Sequence, residues 1–193
     1  MRAALILLLA LASDGEATQA LRERDAEIRA ALPPGRQPLT DPERTRIEAI
    51  VARIVDARAI LEAAIGSRWA TLTPAERQRL ASAFERRFRV SGGLRIEDMR
   101  EARIDFLAED VKGDLVVVPT HVTLRNESSD VRYVLRRAQT GWRIVDIVAD
   151  DVSVVENYRA SFARIIGREG IDGLIRRLER TGEGRGSARP TGS

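Results

Sequence analysis

Apolar residues recur at helical spacing through the first half of the chain and at alternate positions through much of the second. Ala17 to Leu32 places Leu21, Ile28 and Leu32 on one narrow stripe with charges elsewhere, which predicts an amphipathic helix. Pro33-Pro34-Gly35 and Pro38 stop it. Thr40-Asp-Pro-Glu43 has the form of a capping box with proline beside the N-cap, so a second helix starts there, with Ile47, Ile50, Val51, Ile54 and Val55 at helical spacing. It is expected to run or kink into Ala57 to Ile65 and to close at Gly66. Thr73-Pro-Ala-Glu76 opens another helix in the same way and turns Leu80, Phe84 and Phe88 inward, until Ser91-Gly-Gly93 ends it.

From Ala102 the period is two. Ile104, Phe106 and Ala108 alternate with Arg103, Asp105 and Glu109; Leu115 to Leu124 is a longer apolar strand; Val131, Tyr133 and Leu135 alternate with Arg132 and Arg136. Trp142 to Val148 carries β-branched residues on both faces, so it reads as a strand covered on both sides. Lys112-Gly-Asp114, Asn126 to Asp130 and Ala138 to Gly141 supply the turns. These short connections predict an antiparallel meander of about four strands in an α+β fold, its broad face covered by the helices before and after it.

Ser153-Val-Val-Glu156 is a further capping box, opening a helix with Tyr158, Phe162, Ile165 and Ile166 on its apolar stripe. That helix is expected to end near Gly167 or Gly170, and a second, Ile171 to Leu178, to stop at a left-handed Gly182. Residues 181–193 form a Gly/Ser/Arg/Pro tail expected to be disordered, so residues 13–180 read as a single domain.

Composition narrows the functional classes. Of 193 residues, 44% are hydrophobic and 32% charged, a globular balance rather than a disordered one. The net charge is only +3 because arginine is nearly balanced by acids, and aromatics are 4%. A nucleic-acid surface needs unopposed cations and stacking aromatics, so none is expected. There is no cysteine, which removes disulfide and thiolate chemistry. Met1-Arg2, the apolar run Ala3 to Ala12 and the Ala10-Leu-Ala12 site read as a secretory signal, 1–12, cleaved after Ala12; the run is too short to span a bilayer. Export of the mature chain is therefore expected.

Candidate chemistry is sparse. His121, the only histidine, has the opposite parity from Val116, Val118 and Val122, which suits an exposed strand residue better than a catalyst. Asp146 lies inside an apolar strand, where burial could make it a general base. It is expected to share a face with Trp142, Ile144 and Val148 and to bond Arg136, Arg143 or a backbone N–H. No nucleophile elbow, phosphate-cradling loop or metal-ligand cluster stands in the sequence, and Gly92-Gly93 carries no phosphate signal. A small cone-fold enzyme using Asp146 or His121 is the minor alternative. The main expectation is no catalysis, no cofactor and no metal. Trp69, Phe84, Phe88, Ile104, Phe106, Val116, Val118, Val134, Ile147, Tyr158, Phe162 and Ile166 read from their pattern as core.

One long stretch adds a resemblance. Trp142-Arg-Ile-Val-Asp146, Val152-Ser153, Asn157-Tyr158-Arg159, Phe162 and Gly170-Ile-Asp-Gly-Leu-Ile175 stand in the order and spacing of the C-terminal signature of the toluene-tolerance/MlaC family of periplasmic phospholipid-binding proteins. The run from Asp56 to Phe88 is similar to that family's helical segment. Where the family pattern has Glu-Gly before Val-Ser, this chain has Asp150-Asp151. The resemblance implies an apolar cavity between sheet and helices, lined by part of the apolar set above together with Val152 and Val154. It further implies a periplasmic, monomeric carrier of phospholipid that exchanges its cargo with an inner-membrane ABC transporter complex and an outer-membrane lipoprotein complex. The hopanoid-associated branch of the family is the alternative, and Arg58, Arg68 and Arg159 are the nearest candidates to meet a headgroup. Against it stands a plain interaction domain with a filled core, which would carry no ligand.

Overall fold

The two predicted threonine–glutamate boxes close at helix starts, because a threonine and a glutamate three residues apart can satisfy a helix end without help from the rest of the chain. The computed structural model describes residues 15–35, 37–91 and 99–183. Helices α1 (Glu16–Ala31), α2 (Asp41–Ala52), α3 (Ala57–Ile65), the short α4 (Arg68–Thr71) and α5 (Pro74–Ser91) come first. Strands β1 (Arg103–Phe106), β2 (Asp110–Lys112), β3 (Leu115–Leu124), β4 (Glu127–Ala138), β5 (Gly141–Ala149) and β6 (Val152–Ser153) follow, and α6 (Val154–Glu183) comes last. At α2 the Thr40 N–H donates to Glu43 Oε2 at 2.8 Å, and at α5 the Thr73 N–H donates to Glu76 Oε2 at 2.7 Å. These bonds, from hydroxyl and backbone alike, hold both carboxyls below their ordinary range. The expected signal segment 1–12 and the Gly92-Gly93 stop lie outside the described residues, as does the tail from 184.

The sheet is antiparallel, in the order β1-β3-β4-β5-β6 with β2 also on β3. It has six strands rather than about four, since β2 and β6, three and two residues long, are too short to show alternation. The polar run expected as a turn at Asn126 to Asp130 is paired from Glu127 onward, and the turn is Arg125-Asn126, with Arg125 at φ 58°. Cross-strand partners define two faces. Val116, Val118 and Thr120 stand opposite Leu135, Tyr133 and Val131 on one face, with Ile144 and Ile147 beside them; Val117 and Val134 stand on the other. The first face carries the main core, where Val116, Val118, Leu135 and Ile144 meet Leu21 of α1, Ile60 and Leu61 of α3, Leu80 and Phe84 of α5, and Phe162 and Leu174 of α6. The strand Trp142 to Val148 is covered only in part: Ile144 alone is fully buried in it and its neighbours are half-buried.

Two departures from the simple pattern shape the molecule. The apolar run from Ile47 to Ile65 is two helices, because residues 53–56 leave the helix to dock beside β5. Val55 forms a parallel bridge with Ile144; the Ile144 N–H donates to the Ile54 carbonyl at 2.7 Å and the Asp56 N–H to the Ile144 carbonyl at 2.9 Å. Arg143 completes the junction by donating to the carbonyls of Arg53 and Val55, both at 2.9 Å. The exposed edge of β5 is thereby closed by this segment at one end and β6 at the other.

The second departure is a kink in α6 at Gly170, with φ 67° and ψ −176°, a region open essentially to glycine alone. At Gly173 a side-chain carbon would stand 2.2 Å from Glu169 Cβ, so this position too takes glycine. The helix runs on to Glu183, past the expected stop at Gly182. Gly170→Ala should lower stability by about 1 kcal/mol, the left-handed strain being offset in part by a stiffer unfolded chain, and chemical denaturation would read it.

The β5–β6 hairpin turns on Asp150-Asp151, with φ 47° and 65°, which is the conformation of a two-residue primed turn. Asp151 is bonded to Arg132 at 2.9 Å but is 88% exposed, so that pair contributes little. Asp151→Gly should therefore raise stability by ~0.5 kcal/mol, measurable as a shift in denaturation midpoint without a change in slope.

Candidate functional site

Four aromatic rings meet where α5 faces the first arm of α6. Phe84 and Phe88 are one turn apart on α5, as are Tyr158 and Phe162 on α6, so each pair occupies one side of its helix. Phe84 sits edge-on to both partners across the junction, with centroids 5.0 Å from Tyr158 and 6.0 Å from Phe162. Tyr158 and Phe162 lie 5.3 Å apart, and Phe88 lies 6.4 Å from Tyr158. These are favourable tilted and edge-to-face arrangements.

Beside this cluster, the two arms of α6 and the end of α5 enclose an open cleft of about 340 Å³. Tyr158, Phe162 and Ile165 line it from the first arm and Leu174 and Leu178 from the second, while Ser161, Arg87, Arg177 and Arg180 complete its wall. Burial pushes the Tyr158 phenol above its usual range, an effect the nearby Arg87 charge opposes. Across the kink, Arg177 Nε donates to Glu169 Oε2 at 3.1 Å and a second guanidinium nitrogen bonds the other oxygen. That fork holds the Glu169 carboxyl below its ordinary value and raises Arg177. The cleft thus combines an apolar floor with a cationic wall, and can hold an amphipathic ligand.

The apolar set expected from the sequence is only partly gathered here. Phe84, Phe162, Val116 and Val118 are buried in the core, and Trp69, Phe88, Phe106, Ile147, Val154, Tyr158 and Ile166 pack half-buried against it. Ile104 is half-buried opposite Val122. Val134 faces away, because its partners Val117 and Asp146 are on the other side of the sheet. Val152, on the short edge strand β6, is 61% exposed. The arginines expected near a headgroup are used elsewhere: Arg58 bonds Glu62 at 2.9 Å and stacks over Trp69, and Arg159 bonds Glu156 and the Ala63 carbonyl, while Arg68 is exposed on α4. The cleft's Arg87, Arg177 and Arg180 were not foreseen; the one local signal was the spacing of Arg177 beside Leu174 and Leu178.

Asp146 is structural in its contacts. A β-bulge between Val134 and Leu135 on the partner strand leaves Val145 unpaired, so Asp146 and Val148 lie on the face opposite to Ile144 and do not share it as the alternation predicts. There Asp146 Oδ1 accepts the N–H groups of Ile147 at 2.8 Å and Val155 at 3.0 Å, and Oδ2 accepts the Ser153 hydroxyl at 2.6 Å. The Ser153 oxygen in turn accepts the Glu156 N–H at 3.1 Å, so the start of α6 is capped jointly by Ser153 and Asp146 while Glu156 turns to Arg159. Arg136 and Arg143 are bonded to Asp114 and to backbone carbonyls instead. His121 is exposed and bonded to Asp130 on the outer face, away from the cleft. Among the described residues no group of three or more His, Asp or Glu is placed to hold a metal ion, and no helix is long and apolar enough to cross a membrane.

Comparison with known proteins accords with this fold. The solved structure of a phospholipid-binding protein from Ralstonia solanacearum, in complex with a phospholipid, has the same fold: 88% of this chain and 97% of that one superpose with a TM-score of 0.70, at 21% identity. The family described as MlaC protein matches residues 35–180, which run from the segment before α2 into the second arm of α6 and so take in the kink, the cleft and the Asp146 cap. On that match the chain belongs to the MlaC family.

Proposed function

We propose that this chain is an exported lipid carrier that binds phospholipid acyl chains in the periplasm and passes lipid between an inner-membrane ABC transporter complex and an outer-membrane lipoprotein complex, without catalysing a reaction. The observation that carries this reading is the apolar cleft between the arms of α6, opening beside the ring cluster, in a chain of a family with a phospholipid-bound structural relative. Two acyl chains, roughly thirty methylenes, gain about 25 kcal/mol on leaving water at ~0.8 kcal/mol each, but a bilayer already provides that burial. A carrier therefore needs a cavity about as apolar as the membrane, so that exchange is near neutral and partners set the direction.

At about 340 Å³ the cleft is at the small end of ligand pockets, which run from about 300 to 1,000 Å³. Loading two chains requires the arms of α6 to part from each other and from α5, with Phe88 and Tyr158 moving off one another, and the Gly170 kink is where the backbone can yield. Mass spectrometry of organic extracts from the chain purified from its periplasm without detergent should find stoichiometric glycerophospholipid. Hopanoid instead would keep the carrier and change its cargo; a stable, monodisperse, empty protein would overturn the reading. Ile165→Glu places a carboxylate on the floor and should cut lipid loading at least ~10-fold with the helical circular dichroism unchanged. Val152→Glu, on exposed β6, should leave loading as it is.

A further inference from the structure

The cleft wall carries a charge that an acyl chain does not explain. Arg87 comes from α5 and Arg177 and Arg180 from the second arm of α6, while no carboxylate lines the cleft. Glu169 is bonded to Arg177 at the kink, and it feels Arg176 and Arg180 as well. Arg87 and Arg180 make no salt bridge among the described residues. The wall therefore keeps two guanidinium groups outside any salt bridge, in the same cleft as Phe162 and Leu178.

From this we infer that the cleft selects lipids whose headgroup is net negative. The inference rests on the reading that acyl chains occupy this cleft, and adds the class of headgroup. A guanidinium matches a phosphodiester with two parallel N–H donors and keeps its charge at any physiological pH. A zwitterionic headgroup brings its own ammonium into the same cationic wall, where repulsion cancels part of the gain. An anionic headgroup carries no such group. The wall is open to solvent, so the preference is moderate and salt-dependent.

The test is competitive loading. The full chain, stripped of lipid, is incubated with vesicles holding equal amounts of phosphatidylglycerol and phosphatidylethanolamine with identical acyl chains, then separated and extracted. The anionic lipid should be enriched about three- to tenfold at low salt, the scale of a few exposed charge contacts. Arg87→Gln/Arg180→Gln should bring the ratio close to one while total lipid per protein is retained. Arg164→Gln/Arg168→Gln removes the same charge from exposed positions of α6 outside the cleft and should keep the enrichment. Equal loading of both lipids by the native chain overturns the headgroup inference and leaves the carrier standing. An equal loss of enrichment in the two double variants also overturns it, since general surface charge then suffices. No loading of either lipid overturns the carrier reading and this inference together.

Discussion

Phe84→Ala should lower the unfolding free energy by ~3–5 kcal/mol, the range for removing a fully buried phenylalanine. Phe84 has no exposed surface, and its ring touches Phe88, Tyr158 and Phe162, so it joins α5 to α6 while standing at the centre of the main core. The loss has two parts, the transfer of the ring's apolar area and the void its neighbours cannot fill. Here the neighbours are three rings on two stiff helices, which leaves little room to collapse. Denaturant unfolding of the lipid-free chain measures it, and a loss under about 1 kcal/mol would show that the cluster is not packed as described. In the carrier reading the same substitution has a second consequence: lipid fills part of the void, so the loaded chain should lose less stability than the empty one.

Asp146→Ala should cost ~2–3 kcal/mol, and Asp146→Asn under ~1 kcal/mol. The alanine removes the acceptor for two backbone N–H groups and for the Ser153 hydroxyl, and the Val155 N–H belongs to the first turn of α6, where no intrahelical carbonyl replaces it. The asparagine keeps an oxygen for Ile147 and Val155, and the Ser153 hydroxyl can turn from donor to acceptor toward the new NH₂ group. Helix caps of this kind contribute about 0.5–2 kcal/mol each, and bonds to a carboxylate lie at the upper end. Paired unfolding curves of the two variants decide the matter. If asparagine were as damaging as alanine, the negative charge rather than the acceptor geometry would be what the site needs.

Much of the fold was legible because its causes are local. Thr40 with Glu43 and Thr73 with Glu76 are three residues apart, so the boxes can be read and can form without tertiary help. Leu115 to Leu124 was read to the residue, since its alternation is set by a sheet with one packed face. What was misread depends on residues brought from afar. Residues 53–56 carry helical spacing and yet leave the helix, because Ile144 and Arg143 offer their backbone groups better partners. Asp146 has the parity of Ile144 in the sequence and lies on the other face, because a bulge inserts one residue between them. Asp150-Asp151 stands where the family pattern has Glu-Gly, and both aspartates take the positive φ of a tight turn at some conformational cost.

The candidate site divides along the same line. Its floor is a stripe, Tyr158, Phe162 and Ile165 on one arm and Leu174 and Leu178 on the other, and helical periodicity alone marks these as inward-facing. Of the two glycines expected to end the first arm, Gly167 and Gly170, the break falls at Gly170. Which arm faces which, and that Arg87 of a separate helix joins Arg177 and Arg180 over that floor, is a matter of how the kink folds α6 against α5. Hydrophobic spacing fixes which side of an element is buried, because burial is decided residue by residue along one helix or strand. It carries no information on what lies across the gap. Whether apolar side chains meet as a closed core or leave a cleft between them is decided only when the elements pack.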